Sequence, residues 1–384
     1  MSRRRKITWI VLIVLAVLIR LVSMFPGAVE QYYSRGFYPV LARLQRWLFG
    51  WVPFSVGDVL YFAAAVLLLI RLARLIQLAV RRKLAKGWVW PVTRRGAFVL
   101  LCLYVVFNLA WGLNYNRLGI ADQLGLDVRP YSTADLDTLA EVMLSELTRL
   151  DTPARLRRAD LGHMSQLRMG AGRAYGALWR NEGRAADFFF LDSPGLPFPR
   201  LSVKPSLFEY PGLYIGFAGY YNPFTGEAQV NTLDPLFSQP YTICHEMGHQ
   251  LGYAKENEAN FIGFLAARSS QDPAFGYSAY MDMYLYALRE LYVRDSVLAK
   301  TFKGRLPPEV RADFVRQQRF NLKYENPFEP VIWAIYGRYL RANRQPHGMV
   351  TYSEVTAWVI AYAKKYGWSS LKAWRAAARY PPGG

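Results

Sequence analysis

Apolar and polar positions follow two regimes along this 384-residue chain. The first is a set of three nearly unbroken apolar runs. They fall at about 7–25, interrupted only by Arg20 near its end, at about 52–70, with Asp58 in its first half, and at about 96–113. Each approaches the ~20 residues an α-helix needs to cross the hydrocarbon core of a bilayer. No comparable run follows residue 114, and from there apolar residues recur at the spacings of amphipathic helices and short strands. The pattern predicts a membrane domain, 1–114, with three transmembrane helices, followed by one folded domain, 115–384.

Within the second regime "YSTADLDTLAEVMLSELTRL" predicts a helix with Ser132 or Thr133 as its cap and Asp135 in its first turn. A second helix is expected over 159–179. The segment "LYIGFAGYYNPFTGEAQVNTL" reads as two strands joined by a turn at 222–226. Helices are expected again over 277–293, 327–343 and 351–367, where Tyr and Met stripes at helical spacing read as core. The fold class is therefore mainly α with a small β-sheet. Ahead of it, "GFYPVLARLQRWLFG" (36–50) has apolar residues at helical spacing. It is expected either along the membrane interface or packed on the spans.

Charge orients this layout. The formal net charge is +19. Arg3, Arg4, Arg5 and Lys6 precede the first run, and Arg71, Arg74, Arg81, Arg82, Lys83, Lys86, Arg94 and Arg95 follow the second. The loop between the first two runs carries only Arg35, Arg43 and Arg46. By the positive-inside rule the N-terminus is cytoplasmic and the domain after Asn114 extracytoplasmic, in the cytoplasmic membrane of the cell. The first run lacks a small-x-small cleavage site and reads as an uncleaved anchor. The basic excess suits anionic membrane lipids. No recognition motif for nucleic acid accompanies it. The two cysteines, Cys102 and Cys244, are not expected to pair, and the sequence sets no oligomeric state.

Four histidines occur in the whole chain, and two of them stand in "TICHEMGHQLGYAKENEAN" (242–260). His245-Glu246-Met247-Gly248-His249 is HExxH. On a helix, residues four apart share a face, so both imidazoles can take corners of a tetrahedral Zn2+ site. Glu246 is swung to one side, where it serves as general base for a zinc-activated water. From the residue frequencies, a chance match arises in roughly one in 300 such chains. Catalytic zinc needs a third protein ligand, and the nearest candidates are Glu256 and Glu258. An unbroken helix would carry Glu256 about 10.5 Å along the axis from His249. The helix must therefore stop at Gly252 and a second helix begin near Glu256. Ser238 is the expected N-cap and Pro240 the first-turn residue of the HExxH helix.

These residues resemble the zincin metallopeptidases, in particular the glutamate-zincin, thermolysin-like branch. Glu256-Asn257-Glu258-Ala259-Asn260 matches that branch's motif on the helix after HExxH. The resemblance implies a zincin-like α+β domain with Glu256 as third metal ligand and Asn260 as the partner that orients a metal-binding histidine; Glu258 is the alternative ligand. "HEMGHQLGYAK" is also similar to the metzincin pattern, with Lys255 in place of the third histidine. The whole layout resembles an uncharacterised family of bacterial membrane proteins, on "PFSVGDVLY", "WGLNYNR", "GYYNPFTGEAQVN", "HEMGHQLGYAKENEANFIGFLA" and "YLRANRQPHGMVTYSEV". The zincin resemblance further implies a substrate-pairing edge strand within 213–231 and an oxyanion-stabilising residue, with His347 and Tyr221 as candidates.

The leading expectation is a membrane-anchored zinc metallopeptidase acting on a peptide or protein. A motif this polar and short does not fit an intramembrane protease. The alternative is a membrane-tethered binding or assembly protein whose metal site is structural or vestigial, although a purely structural site has no need of Glu246.

Overall fold

The computed structural model describes residues 2–83, 85–182, 202–343 and 351–373. The chain is mainly helical with one small sheet. It begins with helix α1 (Arg3–Val22), a bend, and then a short helical turn and a π-helical stretch (Val29–Phe37) leading into α2 (Tyr38–Phe49). Two long helices follow, α3 (Val56–Val80) and α4 (Val89–Ala110). Further along lie α5 (Thr133–Arg157), α6 (Met164–Glu182), β1 (Val203–Pro205), α7 (Glu209–Ile215), β2 (Gly219–Asn222) and β3 (Glu227–Val230). The remaining elements are α8 (Gln239–Gln250), α9 (Glu256–Ser269), α10 (Pro273–Arg294), α11 (Ser296–Gly304), α12 (Pro308–Tyr324), α13 (Glu329–Ala342) and α14 (Thr351–Tyr366).

Of the three expected spans, α3 and α4 are each long and apolar enough to cross a membrane. The first is different. Helix α1 keeps Arg5, Lys6 and Arg20 even in its most apolar stretch, and meets the same criterion only together with the segment beyond it. That segment is bent away by 104°. The boundaries also move. Ser55 caps α3 through the Asp58 N–H, so the helix starts at Val56 rather than at about 52, and Asp58 lies in its first turn. Helix α3 then continues past Arg71 and Arg74. Trp111 ends α4 before the expected 113.

Helix α2 carries an inverted amphipathic pattern. Tyr38, Ala42, Gln45 and Arg46 face the protein, while Val40, Leu44, Trp47 and Leu48 are exposed. Ser132 and Asp135 form a reciprocal capping box at the start of α5. The second predicted helix starts later than expected, at Met164, after a 3-10 turn. Helices α5 and α10 pack along their lengths and form the main core, with Leu136, Leu139, Met143 and Leu147 buried with Tyr277, Tyr280, Tyr284 and Leu291. The Tyr stripe of α10 is thus core.

The sheet order is β1-β3-β2, with β1 parallel and β2 antiparallel to β3, so β2 is an edge strand. The expected first strand is shorter than the sequence suggested: 213–215 closes α7, whose left-handed cap is Gly216. Strand β1 was not expected at all. The sheet docks on the first turn of α3. Glu227 accepts hydrogen bonds from the Val56 and Gly57 N–H groups and pairs with Lys204. A carboxylate at a helix N-terminus satisfies orphan donors and meets the positive end of the helix dipole. Asp58 reciprocates by accepting from Tyr220 Oη (2.6 Å) and the Leu207 N–H (2.7 Å).

Candidate metal centre

The HExxH segment lies on α8, buried between the sheet and α9. Ser238 occupies the N-cap position, but its hydroxyl donates to the Pro235 carbonyl. The capping acceptor is instead Ser278 Oγ of α10, which receives the Tyr241 N–H at 3.0 Å. Pro240 lies in the first turn. Helix α8 ends where the sequence requires. Gly252 adopts φ +86°, its N–H bonds to the His249 carbonyl, and the Tyr253 N–H bonds to the Gly248 carbonyl. This pair of reversed bonds is the glycine-terminated helix end in which a left-handed residue satisfies the last carbonyls. The chain turns, and α9 begins at Glu256. The two helices then cross closely: a Cβ on Gly263 would sit 3.0 Å from the His245 backbone nitrogen.

The turn does more than reverse direction. Its Tyr253 carbonyl lies 2.7 Å from His249 Nδ1. A carbonyl only accepts, so Nδ1 carries a proton, and Nε2, which faces Glu256, is the nitrogen that would bind a metal in exchange for its own proton. Arg117 Nη1 donates to the Gly252 carbonyl at 3.2 Å, and Arg117 is itself held by Glu30. Trp111 Nε1 donates to the His249 carbonyl at 3.0 Å. Residues that follow α1 and α4 therefore brace the α8–α9 turn.

The three candidate ligands converge. Glu256 Oε2 lies 3.3 Å from His245 Nε2 and 3.8 Å from His249 Nε2. One ligand atom each from His245, Glu246 and His249 falls within 4.8 Å of the others. Two imidazoles and a carboxylate are a donor set suited to Zn2+. Glu246 Oε2 is buried with no hydrogen-bond partner, an orphaned acceptor aimed into the same space. The residues present thus fit the ion.

Electrostatics separate the carboxylates. Burial pushes Glu246 up to about 7, against the pull of His245 and His249. Burial alone would also raise Glu256, but hydrogen bonds from the two histidines hold it well below the usual carboxylate range. Burial would lower His249, yet the Glu256 carboxylate outweighs it and lifts the imidazole to about 9. A base held near neutrality beside an ionised ligand is the pairing expected of an acid–base site.

The other residues singled out from the sequence lie as follows. Glu258 is fully buried, with its carboxylate 3.2 Å from Lys255 Nζ and turned toward Gly119. Asn260 accepts from Tyr241 Oη through both its carbonyl (3.0 Å) and its Oδ1 (3.3 Å). Tyr221 places its hydroxyl 3.3 Å from that of Tyr38 and its ring against Trp111. His347 lies outside the described residues. Cys102 and Cys244 are both free thiols.

Several residues were not legible in advance. Tyr336 of α13 donates to Glu256 Oε1 at 2.8 Å, and no spacing rule connects positions 256 and 336. Gly219 lets β2 approach the base: a Cβ there would lie 2.7 Å from Glu246 Oε1. A glycine inside a predicted strand was the available signal for such an approach. Around these groups lies a cavity of about 570 Å³. Its lining combines a polar wall, with His245, Glu246, His249, Glu256 and Asp282, and an aromatic wall, with Tyr61, Phe107, Trp111, Tyr115, Tyr221 and Phe224.

A family model described as "Protein of unknown function (DUF3810)" matches residues 33–360. The chain belongs to that family. The match runs from the π-helical stretch to α14, so it takes in the two span-length helices together with the candidate metal centre. Its description assigns no activity. No curated protein and no solved structure matched the chain.

Proposed function

We propose that this DUF3810 chain is a membrane-anchored zinc metallopeptidase. The observation that carries the reading is the convergence of His245 Nε2, His249 Nε2 and Glu256 Oε2 beside a buried, partnerless Glu246 oxygen. When bound, Zn2+ supplies Lewis acidity that activates water and polarises a carbonyl. His245, His249 and Glu256 would hold it. Glu246, with its affinity for protons lifted to near neutrality, takes a proton from the attacking water and hands it to the departing amine. The edge of β2 offers main-chain hydrogen bonds to an extended peptide alongside Glu246.

The membrane arrangement is part of the same reading. Helix α1 lies beside α4, with Trp9 and Phe98 rings 5.4 Å apart, which supports a third span. The arginine- and lysine-rich ends of α1, α3 and α4 point away from the metal centre, so the positive-inside rule favours an extracytoplasmic site.

Two measurements on the full-length protein test the reading. Metal analysis should give one zinc per chain. Glu246→Gln should keep that zinc and lose about 100-fold or more of its cleavage of an unstructured, fluorescently labelled protein, the scale of general-base catalysis. An undiminished rate in the variant removes Glu246 from the chemistry. Zinc bound without cleavage in the wild type favours a tethered binding protein.

A further inference from the structure

The cavity shares its aromatic wall with the two span-length helices. Tyr61 lies five residues into α3, about 7.5 Å along the axis from Val56, and Phe107 lies three residues before the end of α4, about 4.5 Å in. Both line the same cavity as His245, Glu246 and Glu256. The zone between hydrocarbon core and bulk water is about 5–8 Å thick on each face of a bilayer. If α3 and α4 span a bilayer, the part of the cavity lined by Tyr61 and Phe107 lies at the depth of the lipid headgroups.

Independent features put the bilayer surface at this level. Tyr32, Trp47, Trp51 and Phe54 are exposed around the same ends of the helices. Exposed Tyr and Trp at one level are the mark of a membrane interface. Phe217, just after α7, and Trp333 and Tyr336 of α13 line the cavity, and the same two segments present exposed Tyr210 and Tyr214 on α7, Phe328 just before α13, and Val331 and Ile335 on α13. The segment leading into α7 is tied to α3 through the Leu207 N–H to Asp58 bond. An apolar rim of this kind costs free energy in water and gains it against lipid.

Resting on the peptidase reading, we infer that the substrate is the juxtamembrane stretch of a membrane-anchored polypeptide, drawn into the cavity sideways along the bilayer surface. A segment leaving the bilayer meets the aromatic wall first and the β2 edge next, with Glu246 beside Gly219 at its backbone. Strand pairing selects an extended polypeptide over a lipid chain, which has no main-chain donors to offer.

The test uses the zinc-loaded full-length protein in phosphatidylcholine vesicles. The probe is a fluorogenic peptide of mixed sequence joined to a single hydrophobic helix. The linker has about six or about thirty residues, and both versions are equally confined to the membrane. The short-linker probe should be cleaved about tenfold or more faster, because only its scissile segment is held at the depth of the cavity. Equal rates, or faster cleavage of the same peptide without its anchor, overturn the inference. A second arm needs no turnover. Glu246→Gln protein with p-benzoylphenylalanine in place of Phe224, whose ring stands edge-on to Tyr61, should photo-capture the short-linker probe in preference to the long one. Capture of both equally, of neither, or of lipid alone overturns the inference. Preferential capture in a protein whose wild type cleaves nothing supports membrane access and defeats the peptidase reading instead.

Discussion

The two walls of the cavity are built in opposite ways. The polar wall draws His245, Glu246, His249 and Glu256 from one short stretch of chain, ordered by a helical period and a single left-handed turn. The aromatic wall draws Tyr61 from α3, Phe107 and Trp111 from the end of α4, and Tyr221 and Phe224 from the β2–β3 hairpin. The candidate metal centre is thus specified by local geometry, whereas the aromatic lining beside it is assembled by tertiary packing. The walls meet at the α8–α9 turn, where Trp111 and Arg117 hold the backbone that positions His249.

The largest effect that would break this contrast lies within the polar wall. Glu256→Gln should lower zinc affinity by more than the ~10–100-fold typical of losing a group that merely orients a ligand. Glu258→Gln should hold zinc with nearly the wild-type affinity, because its carboxylate lies against Lys255 on the far side of the helix. Competition with a zinc-binding dye measures both. If Glu258→Gln loses the metal and Glu256→Gln keeps it, the assignment of the turn to metal binding is wrong.

How much was readable in the sequence follows the same division. HExxH on a helix, its arrest at Gly252, and the start of α9 at Glu256 could all be read from consecutive residues, because rise per residue and the left-handed preference of glycine act locally. The capping of α5 by Ser132 and Asp135 was legible for the same reason. The capping of α8 was not: Ser278, far along the chain, took the role expected of Ser238. Strand β1 is three residues long and exists because it pairs with β3, so its own sequence carries little signal. Tyr336 and Trp111 reach the site across long separations that no periodicity encodes. The first apolar run reads as a span like the other two, but its arginines and lysine leave it short of the limit on its own, and the chain bends at its end.

A smaller effect concerns the charge state of the polar wall when no metal is bound. Glu246 is raised in the folded chain, from an ordinary value of 4.5 to about 7, chiefly by burial. The folded state therefore binds this proton more tightly than the unfolded one. The stability this contributes is fully present below about 4.5 and is lost as pH rises through about 7. Above that, an ionised buried carboxylate costs up to about 3 kcal/mol. Metal-stripped Glu246→Gln should thus be more stable than metal-stripped wild type at pH 8, and the difference should vanish near pH 4.5. Urea unfolding of both at the two pH values reads this directly. A constant difference across that window would place the carboxylate in a wetter environment than the buried one described.

The smallest effect tests the seam between the walls. Gly252 adopts φ +86°, and a Cβ there would meet Tyr38 Cε1 at 3.0 Å and Asn114 Oδ1 at 3.2 Å. Gly252→Ala combines the ~1–2 kcal/mol of a left-handed non-glycine residue with the displacement of groups from the α2 and α4 side. About 2 kcal/mol of stability should be lost. Zinc affinity should fall too, because the Tyr253 carbonyl that fixes the His249 tautomer moves with the turn. Adding Tyr38→Ala opens the space on the α2 side but leaves the backbone cost in place. If the walls are coupled through this contact, the second substitution should recover part of the zinc affinity while the stability loss persists. If the double variant binds zinc no better than Gly252→Ala alone, the turn is set by its own backbone and the aromatic wall contributes access without positioning the ligands.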